Sequence, residues 1–208
     1  MKILKVLGRL TSINVRKVTW VADEMGVAYE REDWGNPIRD PNVPEFLALN
    51  PNAQVPVILD DGFVLWESGA ILRYLAEKMG SDLLPADLRE RAIVDQWVTW
   101  QAAELNPAWG YAVAALLRKR PEYNDGAKLL ASITGWNAKM RMLDQQIARS
   151  GGFVANGRFS LADIVAALST HRWLLTPFDK PDFPAVMEHY ATMQSRPAGK
   201  PVLGATTP

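Results

Sequence analysis

The chain has 208 residues, 48% of them hydrophobic, enough to bury a real core as one large domain or two small ones. Its 23 basic and 23 acidic side chains cancel, which removes the electrostatic case for a nucleic-acid backbone or an anionic membrane as partner. With no cysteine, disulfides, thiolate metal sites and protein-derived sulfur chemistry are excluded.

The first residues, MKILKVLGR, hold a short apolar run broken by Lys5 and Arg9, too little for the hydrophobic part of a secretory signal, so a cytoplasmic location is expected. Residues 2–7 read as a strand. From Asn14, apolar Val15, Val18, Ala22 and Met25 recur at helical spacing until Gly26, a C-terminal stop. A second strand is expected over 28–32. The stretch 33–53, with prolines at 37, 41, 44 and 51, reads as loop with a short helical piece at 45–49. Apolar runs at 57–59 and 63–66, joined through Asp61-Gly62, form a hairpin, and a helix follows with Ile71, Leu72, Leu75 and Met79 on one face.

After Gly80 the strand signals vanish. Leu84-Pro85 reads as a linker, and helices are expected over 86–118 with a break near Pro107, then 127–149, 160–173 and 183–195, before an irregular tail from Pro197. The uncharged stretch 105–117 contains Asn106, Pro107 and Gly110 and falls short of the roughly 20 residues a membrane span needs. A mixed front and an all-helical back predict two packed domains, 1–79 and 86–208.

Three short passages carry chemistry. Val55-Pro56 precedes a strand that belongs inside the sheet, where proline cannot donate to a ladder. Either the proline is trans and opens an edge strand, or the bond is cis and Val55 presents its backbone groups outward, where an extended peptide can pair with them. Glu67-Ser68 stands where a strand turns into a helix; it is either a plain helix cap or a receptor for an α-amino acid, Ser68 and the free helix N–H groups taking the carboxylate and Glu67 the ammonium. In GRLTSINVRKV, Asn14 caps the first helix and Ser12 fills a turn, or a hydroxyl at a helix N-terminus stabilises an anion such as a thiolate brought by a ligand.

Elsewhere Ser160 and Asp163 have the spacing of a capping box, which makes Asp163 structural. The eight tryptophans are read mainly as core, with Trp97 and Trp100 one helical turn apart. Trp109 and Tyr111, just past Pro107, are candidates to line a hydrophobic pocket where the domains meet. His171 and His189 are too few and too far apart in sequence to suggest a metal site.

In order along the chain, TSINVRKV, NPNAQVPVILDDG, WESGAILRYL and NGRFSLADIVAA resemble the cytosolic glutathione transferases over nearly the whole length. The resemblance implies an α/β thioredoxin-like N-terminal domain binding glutathione, an all-α domain contributing the electrophile pocket, and a homodimer, with glutathione as co-substrate and no metal. It implies that Ser12 donates to the glutathione sulfur with Asn14 as a second donor, that Val55 ahead of cis-Pro56 pairs with the cysteinyl backbone, that Glu67 and Ser68 hold the γ-glutamyl end, and that Gln54 reaches the glycyl carboxylate. Leu10 joins Trp109 and Tyr111 in the pocket. The chain departs from the cysteine-type classes, since it has no cysteine, and from the tyrosine-type classes at the first helix, so it is closest to the serine type. The competing reading is a non-catalytic glutathione- or ligand-binding or protein-interaction module on the same fold.

Overall fold

In the computed structural model, which describes residues 3–204, β1 (Leu4–Leu7), β2 (Tyr29–Glu32), β3 (Val57–Asp60) and β4 (Phe63–Trp66) form one four-stranded sheet in the order β2-β1-β3-β4. β1 runs parallel to β2 and antiparallel to β3, and β3 is antiparallel to β4. The crossover from β1 to β2 is made by α1 (Ile13–Glu24), a segment with short α2 (Pro44–Leu47) leads to β3, and α3 (Ser68–Lys78) follows β4. The expected strand start at Lys2 and the end of the expected irregular tail, 205–208, lie outside the described residues.

Alternation along the strands gives the sheet two apolar faces. Val6 and Ile58 lie on one, fully buried under α1 and α3, whose Val15, Val18, Ile71 and Leu72 are also fully buried. Leu7 and Val57 lie on the other and pack with Trp34 and Phe46, with Val43, Leu49 and Val55 against them. The proline-rich stretch therefore covers half a sheet, which its loop composition did not announce.

Asp60 ties β3 to α3. It accepts the Tyr74 hydroxyl at 2.6 Å and the Lys78 ammonium. The Lys78 hydrogen bond, then that of Tyr74, holds the Asp60 carboxyl below the usual carboxylate range, against the opposing effect of burial. A carboxyl whose pKa is depressed by folding adds stability above its unfolded value, about 3.9, and loses it as pH falls through the folded value. Asp60→Asn is therefore expected to be less stable than the wild type at pH 7, with the gap between their urea midpoints closing as pH falls below about 4.

The described chain divides into two compact units, one of residues 3–84 with Gly204 and the other of residues 85–203. The second contains α4 (Leu88–Trp100), α5 (Asn106–Ala112), α6 (Gly126–Arg149), α7 (Leu161–Leu175), α8 (Pro184–Ser195) and α9 (Gly199–Val202). Where a single helix with one break was expected over 86–118, wider π-helical turns at Gln101–Leu105 and Val113–Leu117 flank α5. The first of them ends where Pro107 removes a backbone donor, and Asn106 reaches back to the Gln101 carbonyl. The tail is not wholly irregular: α9 forms because Val202 and Leu203 are buried, and packing overrides the poor helix propensity of Gly199 and Pro201.

α7 is buried on nearly every side from Leu161 to Trp173. Asp163, fully buried at its start, accepts Ser160 N at 2.8 Å and the Ser160 hydroxyl at 3.0 Å on one oxygen, and Val154 N at 2.8 Å and His189 Nε2 at 3.0 Å on the other. This carboxylate thus joins the loop before α7, the start of α7 and α8.

Candidate active site

Register places the chemistry. Leu7 is paired with Glu32 on one side and Val57 on the other, and Val57 is paired with Trp66. The chain leaving β1, the chain leaving β2, the chain entering β3 and the chain leaving β4 therefore all emerge at the same end of the sheet. Those passages are Gly8 to Ser12, Asp33 to Gly35, Val55-Pro56 and Glu67-Ser68.

The first passage is tightly fixed. Gly8 has φ +153°, and a β-carbon there would overlap Val15 and come within 3.1 Å of the Val55 β-carbon, so only glycine fits this close approach. Gly8 N donates to Glu32 O at 2.8 Å, Arg31 donates to Gly8 O at 2.9 Å, and Arg9 N donates to Trp34 O at 3.0 Å. Ser12 N then donates to Arg9 O at 3.0 Å, closing a turn that ends at α1.

Ser12, with extended backbone at φ −92° and ψ 122°, occupies the residue before the first helical turn, yet its hydroxyl makes no capping hydrogen bond. It remains available to a ligand at the positive end of the helix. Asn14 is not the cap expected from sequence: the backbone is already helical at Ile13, which puts Asn14 inside the first turn. Its Oδ1 is buried without a hydrogen-bond partner.

The Val55–Pro56 bond is cis, and the ladder of β3 begins only at Val57, leaving the Val55 N–H and C=O outside it. Buried Asn50 shapes this approach, donating to Gln54 O at 2.8 Å and accepting from Asn52 N at 3.0 Å. Gln54 is exposed and Pro56 is buried.

Glu67 has φ 70° and ψ 112°, a left-handed backbone for a side-chain-bearing residue, which costs of order 1–3 kcal/mol and is characteristic of ligand-gripping positions. It puts an exposed carboxylate immediately before α3, whose first residue, Ser68, is buried. Neither α1 nor α3 has a capping side chain bonded at its start or an acidic residue in its first turn. Both helix ends therefore offer backbone donors and positive potential to an anion.

The proposed pocket residues are placed differently. Leu10 is 45% exposed at the tip of the turn before Ser12. Trp109 belongs to the core of the second unit, 4% exposed, its ring 5.4 Å from that of Trp136, with the Arg172 guanidinium over it. Tyr111 is half-buried, accepts Asp125 N at 2.8 Å and packs edge-on against Tyr123. Among the described residues no group of three or more His, Asp or Glu is arranged to hold a metal ion. Sequence reading passed over Arg9, the cis Asn36–Pro37 bond and Gly35, which bridges to Arg39. The one local signal for Arg9 was its position directly after a strand and a glycine.

A sheet of this order, with a cis-proline ahead of its third strand and uncapped helix starts beside it, is a thioredoxin-like fold, and an all-helical unit follows it in the chain. Residues 3–77 match the glutathione S-transferase N-terminal domain. Glutathione S-transferase GstB of Escherichia coli K12 is 32% identical over 199 residues, spanning 94% of this chain and 95% of that protein. The disulfide-bond oxidoreductase YfcG of the same organism is 32% identical over 167 residues, 74% of either chain. The crystal structure of the theta class glutathione S-transferase from Xanthomonas axonopodis pv. citri with glutathione bound superposes with a TM-score of 0.93 at 32% identity over the full length of both chains. The chain belongs to the glutathione S-transferase family.

Proposed function

We propose that the protein is a glutathione transferase of the serine type, which binds glutathione as co-substrate at the end of the sheet where Ser12, Val55 and Glu67 converge and adds its sulfur to a small hydrophobic electrophile. The observation that carries this reading is the Ser12 hydroxyl, set at the start of α1 with no hydrogen bond of its own to make. There it donates to the sulfur and holds it as thiolate. Asn14, two residues on and inside the first turn of α1, is a second polar group. Val55, its backbone outside the ladder, pairs with the cysteinyl residue. Ser68 and the first N–H groups of α3 take the γ-glutamyl carboxylate while Glu67 takes the ammonium, and exposed Gln54 reaches the glycyl end. Residues 1–79 form the glutathione domain, with Leu10 exposed beside Ser12, and the all-helical 86–208 domain contributes the electrophile pocket, though Trp109, packed in that domain's core against Trp136, is not part of its lining. Retention on glutathione-agarose together with turnover of an aromatic halide tests the proposal; retention without turnover supports the non-catalytic module instead.

Glu67→Ala is expected to weaken glutathione binding by about 1.5–3 kcal/mol, the worth of a hydrogen bond to a charged group, because it unpairs the ligand's ammonium. Calorimetry reads this directly, and an unchanged affinity reduces Glu67 to part of a helix start.

We also assign a detoxifying role in the cytoplasm and a homodimer, with α3 and α4 near the two-fold axis. No described helix is long and apolar enough to cross a membrane. Phe63, Met79, Leu88 and Ile93 expose apolar surface on or beside these helices, as an isologous contact requires. Light scattering at micromolar concentration is expected to give twice the mass of the 208-residue chain; the mass of a single chain contradicts the dimer.

A further inference from the structure

The turn that delivers Ser12 also carries a cation with no counter-ion. Arg9 is half-buried, its Nε is buried without a hydrogen-bond partner, and its guanidinium donates to the hydroxyl of exposed Thr11. No carboxylate pairs with it among the described residues. Nearby arginines are treated otherwise: Arg31 pairs with Asp33, and Arg39 donates to Glu45 at 2.7 Å and stacks 3.5 Å above the Trp34 ring. A permanently charged group taken partly out of water and left unpaired is costly, and such a group is kept where an anion arrives from outside.

The position of Arg9 says which anion. Its carbonyl receives the Ser12 N–H, so cation and hydroxyl share one turn, with exposed Leu10 and Thr11 between them. On its inner side the guanidinium meets Gly35: a β-carbon there would lie 3.2 Å from Arg9 Nε and 3.6 Å from the Val55 side chain. Gly35, at φ +105°, thus leaves the space that Arg9 fills beside the residue that pairs with the cysteinyl backbone. The sulfur already has the Ser12 hydroxyl and the start of α1. The γ-glutamyl carboxylate has Ser68 and the start of α3, beyond Val57 and Trp66 in the register row. The glycyl carboxylate is assigned to Gln54 above, which leaves the exposed Leu10 side of the sulfur for the electrophile.

We propose that Arg9 makes this site selective for electrophiles that carry a carboxylate, which its planar fork of N–H donors receives as the thiolate attacks. The inference rests on the transferase reading above. In the reaction the thiolate sulfur forms a bond to the electrophilic carbon, and the leaving halide departs with its bonding electron pair; Arg9 takes no proton and changes no bond.

A matched pair of ligands tests it. 4-Chloro-3,5-dinitrobenzoate and its methyl ester differ in one charge, and so do their conjugates with glutathione. Calorimetry on the two pre-formed conjugates needs no turnover. The wild type is expected to bind the acid conjugate at least about tenfold more tightly than the ester conjugate, and Arg9→Gln to abolish the preference, with Arg9→Lys between them. The acid-to-ester ratio of kcat/KM should move in parallel. Equal affinities for acid and ester in the wild type, or a preference that survives in Arg9→Gln, overturns the proposal. So does a loss in Arg9→Gln of affinity for glutathione itself with the acid-to-ester ratio unchanged, which assigns Arg9 to the glycyl carboxylate. Conjugate binding with the expected preference but no turnover of either halide supports Arg9 and overturns only the enzymatic reading. Failure of both conjugates to bind overturns both.

Discussion

Ser12→Ala should raise the thiol pKa of bound glutathione by about one to two units while leaving glutathione affinity nearly intact. A hydrogen bond to a charged acceptor contributes about 1.5–3 kcal/mol, and a unit of pKa corresponds to about 1.4 kcal/mol. The contacts assigned to Val55, Glu67 and Ser68 do not involve the hydroxyl, so they persist in the variant. The rate at neutral pH should fall and recover as pH rises. Ultraviolet absorbance of the bound thiolate against pH, for the wild type, Ser12→Ala and Asn14→Ala, makes the measurement. Because Asn14 does not cap α1 and its Oδ1 is buried and unpaired, Asn14→Ala should cost little helix stability. If Ser12→Ala leaves the titration unmoved and Asn14→Ala shifts it upward, the sulfur donor is Asn14.

The size of the rate loss is bounded by thiol chemistry. A free thiol with pKa about 8.5 is about 3% ionised at pH 7, and lowering its pKa by two units raises that to about three quarters, at a differential stabilisation of about 2.7 kcal/mol. The lower pKa also blunts the nucleophile, with a Brønsted slope of about 0.4–0.5 in thiol exchange, so ionisation alone yields about a few-fold. The larger part of any acceleration comes from holding thiolate and electrophile together. An electrophile anchored through Arg9 gains from that second effect, so Ser12 and Arg9 should act on different steps: the first on the pH profile, the second on the choice between acid and ester.

Most of the first unit was legible because its signals are local. Asp61-Gly62 between apolar runs marked the hairpin, and the apolar spacing after Asn14 and after Ser68 marked the helices. The cis bond at Val55–Pro56 was one of two local readings, and the family motifs favoured it. What sequence could not show were consequences of packing across distance. Arg9 looked like a charge ending a strand, and its importance comes from Gly35 and Trp34, brought beside it by the pairing of β1 with β2. The left-handed backbone of Glu67 has no signature in a residue type that normally avoids it. Trp109 and Tyr111 are aromatic near a proline, but the packing of Trp109 on Trp136 and the acceptance by the Tyr111 hydroxyl of the backbone N–H that begins α6 come from the fold. The π-helical turns on either side of α5 depend on how the helix is accommodated in the second unit, and periodicity reads them as ordinary helix.

Asp163→Ala should be the most damaging single substitution for folding. The carboxylate is fully buried, and its removal strands the N–H groups of Val154 and Ser160, the Ser160 hydroxyl and His189 Nε2, each in a buried residue. His189 Nδ1 is already without a partner, so that ring would have no hydrogen bond left. A buried donor left unsatisfied costs about 1–3 kcal/mol, and partial rearrangement around the cavity brings the expected total to about 3–5 kcal/mol. Against a typical stability of about 5–15 kcal/mol, that is enough to threaten expression. Asp163→Asn gives the measurable form of the same prediction. Its amide oxygen keeps one pair of donors while its NH₂ confronts the other, where the Ser160 hydroxyl can turn round to accept, or His189 can do so through its other tautomer, but the backbone N–H beside either of them cannot. The variant should fold and lose about half as much stability by urea unfolding. Its bound-thiolate titration should match the wild type, since the network touches α7 and α8 and none of the residues assigned to glutathione. A wild-type urea midpoint in Asp163→Asn would show that this corner does not need the charge, and a shifted thiolate titration in a fully folded Asp163→Asn would move Asp163 from the scaffold to the chemistry.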